Sequence, residues 1–99
     1  MSPDSVIEKL SLCRDRIDAV DVRLVALLNE RTEIVEEIGR VKQSASMPVY
    51  EPKREDEVYR NITESNRGPL PDEALKRIFE RIIDEMRTVQ RERMARQKD

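Results

Sequence analysis

With 99 residues, the chain has the length of one domain. Its 40% charged and 37% hydrophobic residues, with two glycines and no tryptophan, are typical of a helical bundle with solvated outer faces. The net charge of −2 lacks the basic character of a nucleic-acid-binding protein, and no apolar run approaches the ~18 residues of a membrane span. The N-terminus shows no export signal and a single Cys excludes intrachain disulfides, so we expect a cytoplasmic protein.

Apolar residues at alternating steps of four and three predict one long helix over residues 5–44, which Asp4 or Ser5 can cap. Residues 6–42 alone would span roughly 55 Å, whereas a compact domain of this length has a radius of gyration of about 13 Å. The chain cannot cover such a helix by itself, so we predict that a second copy covers it. Cys13 lies in the apolar seam and is predicted to be an inert, buried thiol. The seam consists of Val6, Leu10, Cys13, Ile17, Val20, Leu24, Leu27, Ile34, Ile38 and Val41.

Three cations lie on or beside this seam. Arg31 occupies a seam position, and Arg14 and Lys42 lie on a neighbouring row. Buried unpaired cations are costly, so the set indicates acidic partners or an anionic ligand, although a polar seam residue can also simply fix the register of a coiled coil. Arg31 and Lys42, about 16 Å apart along the helix, could flank one small ligand, whereas Arg14 is roughly 42 Å from Lys42. In an antiparallel pair crossing near residues 24–26, Arg14 of one copy would lie beside residues 34–38 of the other. This spacing predicts a twofold dimer with two mixed sites.

The remainder of the chain predicts two further helices. A loop at residues 47–52 precedes a short second helix over residues 53–65, whose apolar content is thin. The sequence Asn-Arg-Gly-Pro at 66–69 is a strong helix stop, because Gly supplies a left-handed cap and Pro cannot continue a helix. Apolar steps of three and four then predict a third helix over residues 71–93, followed by a charged tail at 94–99. The whole chain is therefore predicted to be one all-α domain with a long, a short and a long helix.

Five segments and one later residue, in this order and at these spacings, carry a family resemblance over about residues 7–92. They are RDRID at 14–18, LLNER at 27–31, IGRVK at 38–42, PVYEPKRE at 48–55, IFERII at 78–83, and Gln90. Together they resemble the AroQ-class chorismate mutases, which are all-helical homodimers. The resemblance implies an intertwined homodimeric helical bundle that converts chorismate to prephenate in the shikimate pathway of aromatic amino acid biosynthesis.

The resemblance also implies an active site built from two chains. The partner's Arg14 and the home chain's Arg31 would each bind a carboxylate of the dianionic substrate, because a guanidinium binds a carboxylate through a bidentate fork. Lys42 and Gln90 would donate to the ether oxygen, on which negative charge builds as the C–O bond breaks, and Lys42 would also contact a carboxylate. The reaction is a unimolecular pericyclic rearrangement, so we expect no metal and no cofactor, which fits a chain without His.

Four further residues would line the same pocket by this resemblance. Arg54 would lie beside the substrate, Glu55 would accept a hydrogen bond from the ring hydroxyl, and the backbone at Glu51 would also touch that hydroxyl. Met86 stands where some members have Ser near the ring carboxylate. A thioether cannot donate a hydrogen bond, so Arg31 would hold that carboxylate alone or with a backbone group.

The sequence leaves three alternatives open. An isochorismate-pyruvate lyase of the same fold would use the same cations, although Glu55 and the loop at residues 49–52 look more like the mutase. A non-catalytic dimerisation or regulatory bundle would use Arg31 only to fix register. The turn at residues 66–70 also resembles mutase segments fused to prephenate dehydratase or to the first enzyme of the shikimate pathway. Another enzyme of that pathway is therefore a candidate partner, fused or separate.

Overall fold

The computed structural model describes residues 3–97. It consists of the helices α1 (Pro3–Ser44), α2 (Pro52–Ser65) and α3 (Asp72–Gln97). No strand occurs in this range, so the predicted all-α fold with long, short and long helices is confirmed. Contacts divide the chain into two units. Within the described range, the first holds residues 3–33, all on α1, and the second holds residues 34–97, with the end of α1, α2 and α3.

Helix α1 begins two residues before its predicted start. Its first residue is Pro3, whose fixed φ suits the first turn of a helix. Asp4 lies in that turn, where its charge complements the helix dipole. The two predicted caps, Asp4 and Ser5, therefore lie inside the helix rather than in front of it.

The chain leaves α1 through a tight reversal. Met47 N donates to Lys42 O at 2.8 Å, across the end of the helix at Ser44. Ser46 supports this reversal with a φ of 54°, in the left-handed region. The following loop is thereby directed back towards the last turn of α1.

Asn66 organises the turn between α2 and α3. Its side-chain amide Nδ2 donates to Leu70 O at 2.8 Å and to Asp72 Oδ1 at 2.7 Å, while its Oδ1 accepts from Gly68 N at 3.0 Å. Gly68 has a φ of +70°, which a residue without Cβ adopts at little cost. With the turn fixed in this way, α2 packs against α3.

Helix α3 extends past its predicted end. The sequence predicts a charged tail from residue 94, but the helix continues to Gln97. Apolar periodicity stops near residue 90, whereas the residues at 91–97 are mostly Arg, Glu, Met, Ala and Gln, which all have high helix propensity. Met94 also contributes to packing, because its carbonyl accepts from Gln43 Nε2 at 3.3 Å. The last two residues of the predicted tail lie outside the described range.

The most buried side chains lie in the second unit. Ile83 and Met86 of α3 are 7% and 9% exposed. Two polar residues are buried as deeply, since Lys42 is 7% exposed and Gln90 is 5% exposed. Across the described residues, no helix is long and apolar enough to cross a membrane.

The seam of α1 is open to solvent within one chain. Ile17 is 58% exposed, and Leu24 and Leu27 are 49% and 60% exposed. Cys13 is exposed as well, so the prediction of a buried thiol is wrong for the single chain. Cys13 lies on the face for which the heptad pattern predicts a second copy. The described part of the first unit, residues 3–33, consists of this helix alone.

Candidate active site

Lys42 is a buried cation on the last turn of α1. Its Nζ donates to Val49 O at 3.0 Å and forms an ion pair with the carboxylate of Glu51. Both partners come from the loop that the hydrogen bond between Met47 N and Lys42 O turns back over the helix. A buried ammonium needs such partners, because burial without them is costly. The predicted site residues Lys42 and Glu51 are thus brought into direct contact.

Gln90 is the second buried polar residue, and it joins α3 to α1. Its Nε2 donates to Val35 O at 3.1 Å. Gly39, one turn after Val35, lies directly against the Gln90 stem, because a Cβ built on Gly39 would be 3.0 Å from Gln90 Cγ. Sequence reasoning missed Gly39. Its only signal is a glycine inside a predicted helix, which costs about 1 kcal/mol relative to alanine and therefore calls for a packing reason.

Glu55 of α2 is held by a residue that sequence reasoning missed. Arg87 of α3 places Nη1 at 3.5 Å from Glu55 Oε2, and its Nη2 pairs with Asp84. The Arg87 guanidinium carbon also lies 5.3 Å from the centroid of the Tyr50 ring, within cation–π range. A single arginine therefore contacts the loop, α2 and its own helix.

The surroundings of Tyr59 show that this region is rich in negative charge. Burial raises the pKa of Tyr59, and the carboxylates of Glu80, Glu55 and Asp84 act in the same direction, whereas Arg87 acts against them. Carboxylates from both α2 and α3 thus act on the phenol. Arg87 is the cation that offsets this cluster.

Met86 and Arg54 occupy different environments. Met86 is 9% exposed and lies one helical turn before Gln90 on α3. Its flexible, apolar side chain is suited to packing in a core, and it adds no strong hydrogen-bond donor to the site. Arg54 is exposed and pairs with Glu57 at 3.1 Å along the surface of α2.

Arg14 and Arg31 both belong to the first unit. Arg14 is exposed on α1, and Arg31 is half-buried. The same unit carries a mostly apolar groove lined by Cys13, Arg16, Ile17, Ala19, Val20 and Arg23. The two predicted carboxylate-binding arginines thus belong to the first unit, whereas Lys42 and Gln90 belong to the second.

The fold and these side chains define a helical protein whose second unit buries two polar residues, Lys42 and Gln90. Among the described residues, no group of His, Cys, Asp or Glu is arranged to hold a metal ion. Over residues 13–91, the sequence matches the family chorismate mutase type II. The chain therefore belongs to the type II chorismate mutase family, and the resemblance predicted from the sequence motifs is confirmed.

Three similar proteins place the chain within this family. It is 41% identical over 78 residues to the bifunctional chorismate mutase/prephenate dehydratase of Neisseria gonorrhoeae, covering 79% of this chain and 21% of that protein. The chain thus spans about a fifth of the length of this relative. A chorismate mutase structure (form II) from Thermus thermophilus has a TM-score of 0.81 and 34% identity, covering 84% of this chain and 94% of that one. The Helicobacter pylori chorismate mutase in complex with prephenate has a TM-score of 0.80 and 32% identity, covering 92% of this chain and 96% of that one.

Proposed function

We propose that this chain catalyses the rearrangement of chorismate to prephenate in aromatic amino acid biosynthesis, in the cytoplasm. The observation that carries this proposal is the pair of buried polar side chains, Lys42 and Gln90, in a chain of the type II family. Support also comes from the Helicobacter pylori relative, whose structure is a complex with prephenate.

Lys42 and Gln90 are suited to stabilise charge on the ether oxygen of the substrate. An ammonium carries three N–H donors, and Val49 O and Glu51 take two of those of Lys42. A side-chain amide carries two, and Val35 O takes one of those of Gln90. Each group is therefore anchored and retains one donor for a substrate oxygen. Fixed donors in a dry pocket stabilise developing charge without reorganising.

We assign the two carboxylates of the substrate to Arg31 of one chain and Arg14 of a second chain. The exposed seam of α1 supports a homodimer, because covering half of a Leu or Ile side chain contributes about 1 kcal/mol. An antiparallel pairing along that seam would bring the exposed Arg14 of each copy to the site of the other. Holding both carboxylates in this way would also keep the flexible substrate in its reactive conformer.

We assign the ring hydroxyl of the substrate to Glu55 and to the backbone at Glu51. Glu55 is half-buried and directs Oε2 at Arg87, which leaves its second oxygen to accept a hydrogen bond. Arg54 would line the entrance, which fits its exposed position at the start of α2. Met86 would pack beside the ring carboxylate as an apolar wall.

The assay is the loss of chorismate absorbance with purified protein, with prephenate identified as the product. Lys42→Met should lower kcat by about 10²–10³, because it removes one donor to the developing charge. The matched control is Lys53→Met, the same change at an exposed position of α2, which should leave the rate unchanged. A Lys42→Met protein as active as the control would contradict the proposal.

Assays on the same purified protein distinguish two rival functions. Incubation with isochorismate tests the lyase alternative, and release of pyruvate without any mutase activity would favour it. Absence of turnover together with absence of binding to a cyclic dicarboxylate would favour a non-catalytic dimerisation module. The match to a bifunctional relative supports a prephenate-consuming enzyme as a fused or separate partner.

A further inference from the structure

Arg87 connects three segments around the proposed site. It contacts Tyr50 in the loop, Glu55 on α2 and Asp84 on its own helix. We propose that Arg87 is a positioning residue, which orients the Glu55 carboxylate to accept the ring hydroxyl of the substrate. This inference rests on the proposed function, because it concerns a group that binds chorismate.

The geometry suits a positioning role. A guanidinium is a planar fork with five donors, so Arg87 can pair with Glu55 and Asp84 together while its guanidinium carbon lies over the Tyr50 ring. The side chains of Arg87 and Glu55 are only 26% and 21% exposed. The pair approaches through Oε2 at 3.5 Å, which is an electrostatic contact that leaves Oε1 to the substrate.

The surrounding charges explain why Glu55 needs this partner. Glu55 and Asp84 both act on Tyr59, so the two carboxylates share one neighbourhood across α2 and α3. The two negative charges repel each other, and Arg87 offsets this repulsion by forming an ion pair with each carboxylate. Without Arg87, the Glu55 side chain would turn away from Asp84 and lose its fixed direction.

A second ion pair on α3 shows what an ordinary surface contact looks like. Arg81 and Glu85 are closer, at 2.9 Å, but they lie four residues apart on one helix and are 78% and 57% exposed. Pairs of that kind contribute little. Arg87 differs because it joins two helices through side chains that are mostly buried. Arg81 is therefore a matched control for removing one charge from α3.

The test is a double-mutant cycle on chorismate turnover, with Arg87→Met, Glu55→Gln, the double variant and Arg81→Met. Arg87→Met should lower kcat/KM about tenfold, mainly through a higher KM, because the hydroxyl contact exists in both ground and transition states. In the Glu55→Gln background, Arg87→Met should lower kcat/KM by less than about twofold, because the effects of two coupled residues are not additive. Arg81→Met should match wild type, and circular dichroism should show all variants folded.

Conservative replacement provides a second measurement. Arg87→Lys keeps the charge but loses the fork, so it should recover at least about a third of wild-type kcat/KM. If Arg87→Met does not fold, Arg87→Lys takes its place in the double-mutant cycle. An equal loss on removing Arg87 with and without Glu55, or no loss in either, would overturn the positioning role. If wild type and Arg81→Met convert no chorismate, the proposed function itself fails, and this inference falls with it.

Discussion

A methyl group added at Gly39 should disturb the site through Gln90. The new Cβ would lie 3.0 Å from Gln90 Cγ, whereas carbon atoms pack best at about 3.5–4.0 Å. Relief of this contact requires a movement of a few tenths of an ångström. The hydrogen bond from Gln90 Nε2 to Val35 O is already 3.1 Å long, so a shift of that size in the same direction would stretch it beyond the usual range and weaken it. Misplacement of a reacting group by about 1 Å can cost 10²-fold, so for this smaller shift we expect Gly39→Ala to lower kcat by about 3–10-fold.

Stability measurements separate this mechanism from a simple effect on helix propensity. Alanine in place of glycine inside a helix stabilises by about 1 kcal/mol, whereas overpacking costs about 1–3 kcal/mol. Gly39→Ala should therefore leave the wild type unchanged or destabilise it by up to about 2 kcal/mol. In a Gln90→Ala background, which has no Cγ to clash, the same change should stabilise by about 1 kcal/mol. Urea unfolding at one protomer concentration measures both.

This difference in stability change between the two backgrounds is the critical outcome. If Gly39→Ala stabilises both backgrounds equally and turnover is unchanged, Gly39 does not constrain Gln90. The reasoning on how α3 approaches α1 would then be wrong.

Four further predictions concern the dimer, the shared site, the donor to the ether oxygen and the turn. Sedimentation at micromolar concentration should give twice 11.6 kDa, and a folded monomer would contradict the two-chain site. Arg14→Ala and Arg31→Ala should each be nearly inactive, and mixing them should restore activity through heterodimers with one intact site; no recovery in proven heterodimers would refute the assignment of Arg14. Gln90→Glu should lose activity at pH 7.5, because an ionised carboxylate repels the developing charge. It should regain activity as pH falls towards the carboxyl pKa, about 4.3 when unperturbed, while wild type changes little. Asn66→Ala should destabilise by about 1–3 kcal/mol in urea unfolding, since it removes three hydrogen bonds, whereas the control Ser65→Ala removes one; equal effects would exclude a role for Asn66 in the turn.

The helices follow from sequence where one local signal dominates. The heptad repeat predicts α1 because its period directly reports one apolar face. The sequence at 66–69 also predicts the stop of α2, but the predicted left-handed glycine cap is wrong. The helix ends at Ser65 with Asn66 as an extended cap, and Gly68, with its φ of +70°, shapes the turn that follows. The end of α3 could not be found in this way. Beyond residue 90 the helix is sustained by propensity and by contacts such as that of Met94 O, and neither leaves an apolar pattern.

The site was predictable only in part. Motifs indicate Lys42 and Gln90, but the partners of Lys42 depend on a loop whose path rests on the positive φ of Ser46, a residue type that carries no strong signal for it. Arg87 could not be singled out either, because it is one of 19 Lys and Arg residues in a chain that is 40% charged. Its significance comes from Glu55 and Tyr50, which only the tertiary structure brings to it.

One stripe of α1 determines how the polar groups of the second unit are positioned. Val35, Gly39 and Lys42 lie four and three residues apart, so they share a face of the helix. Val35 offers its carbonyl to Gln90, Gly39 provides the room for the Gln90 stem, and Lys42 supplies the buried ammonium. One anchor of each donor is a main-chain carbonyl, at Val35 for Gln90 and in the loop at residue 49 for Lys42. Side-chain changes at those two anchoring positions should therefore be tolerated better than any added volume at Gly39. A substitution leaves the backbone oxygen in place, whereas a larger residue at position 39 fills the space that the Gln90 stem needs.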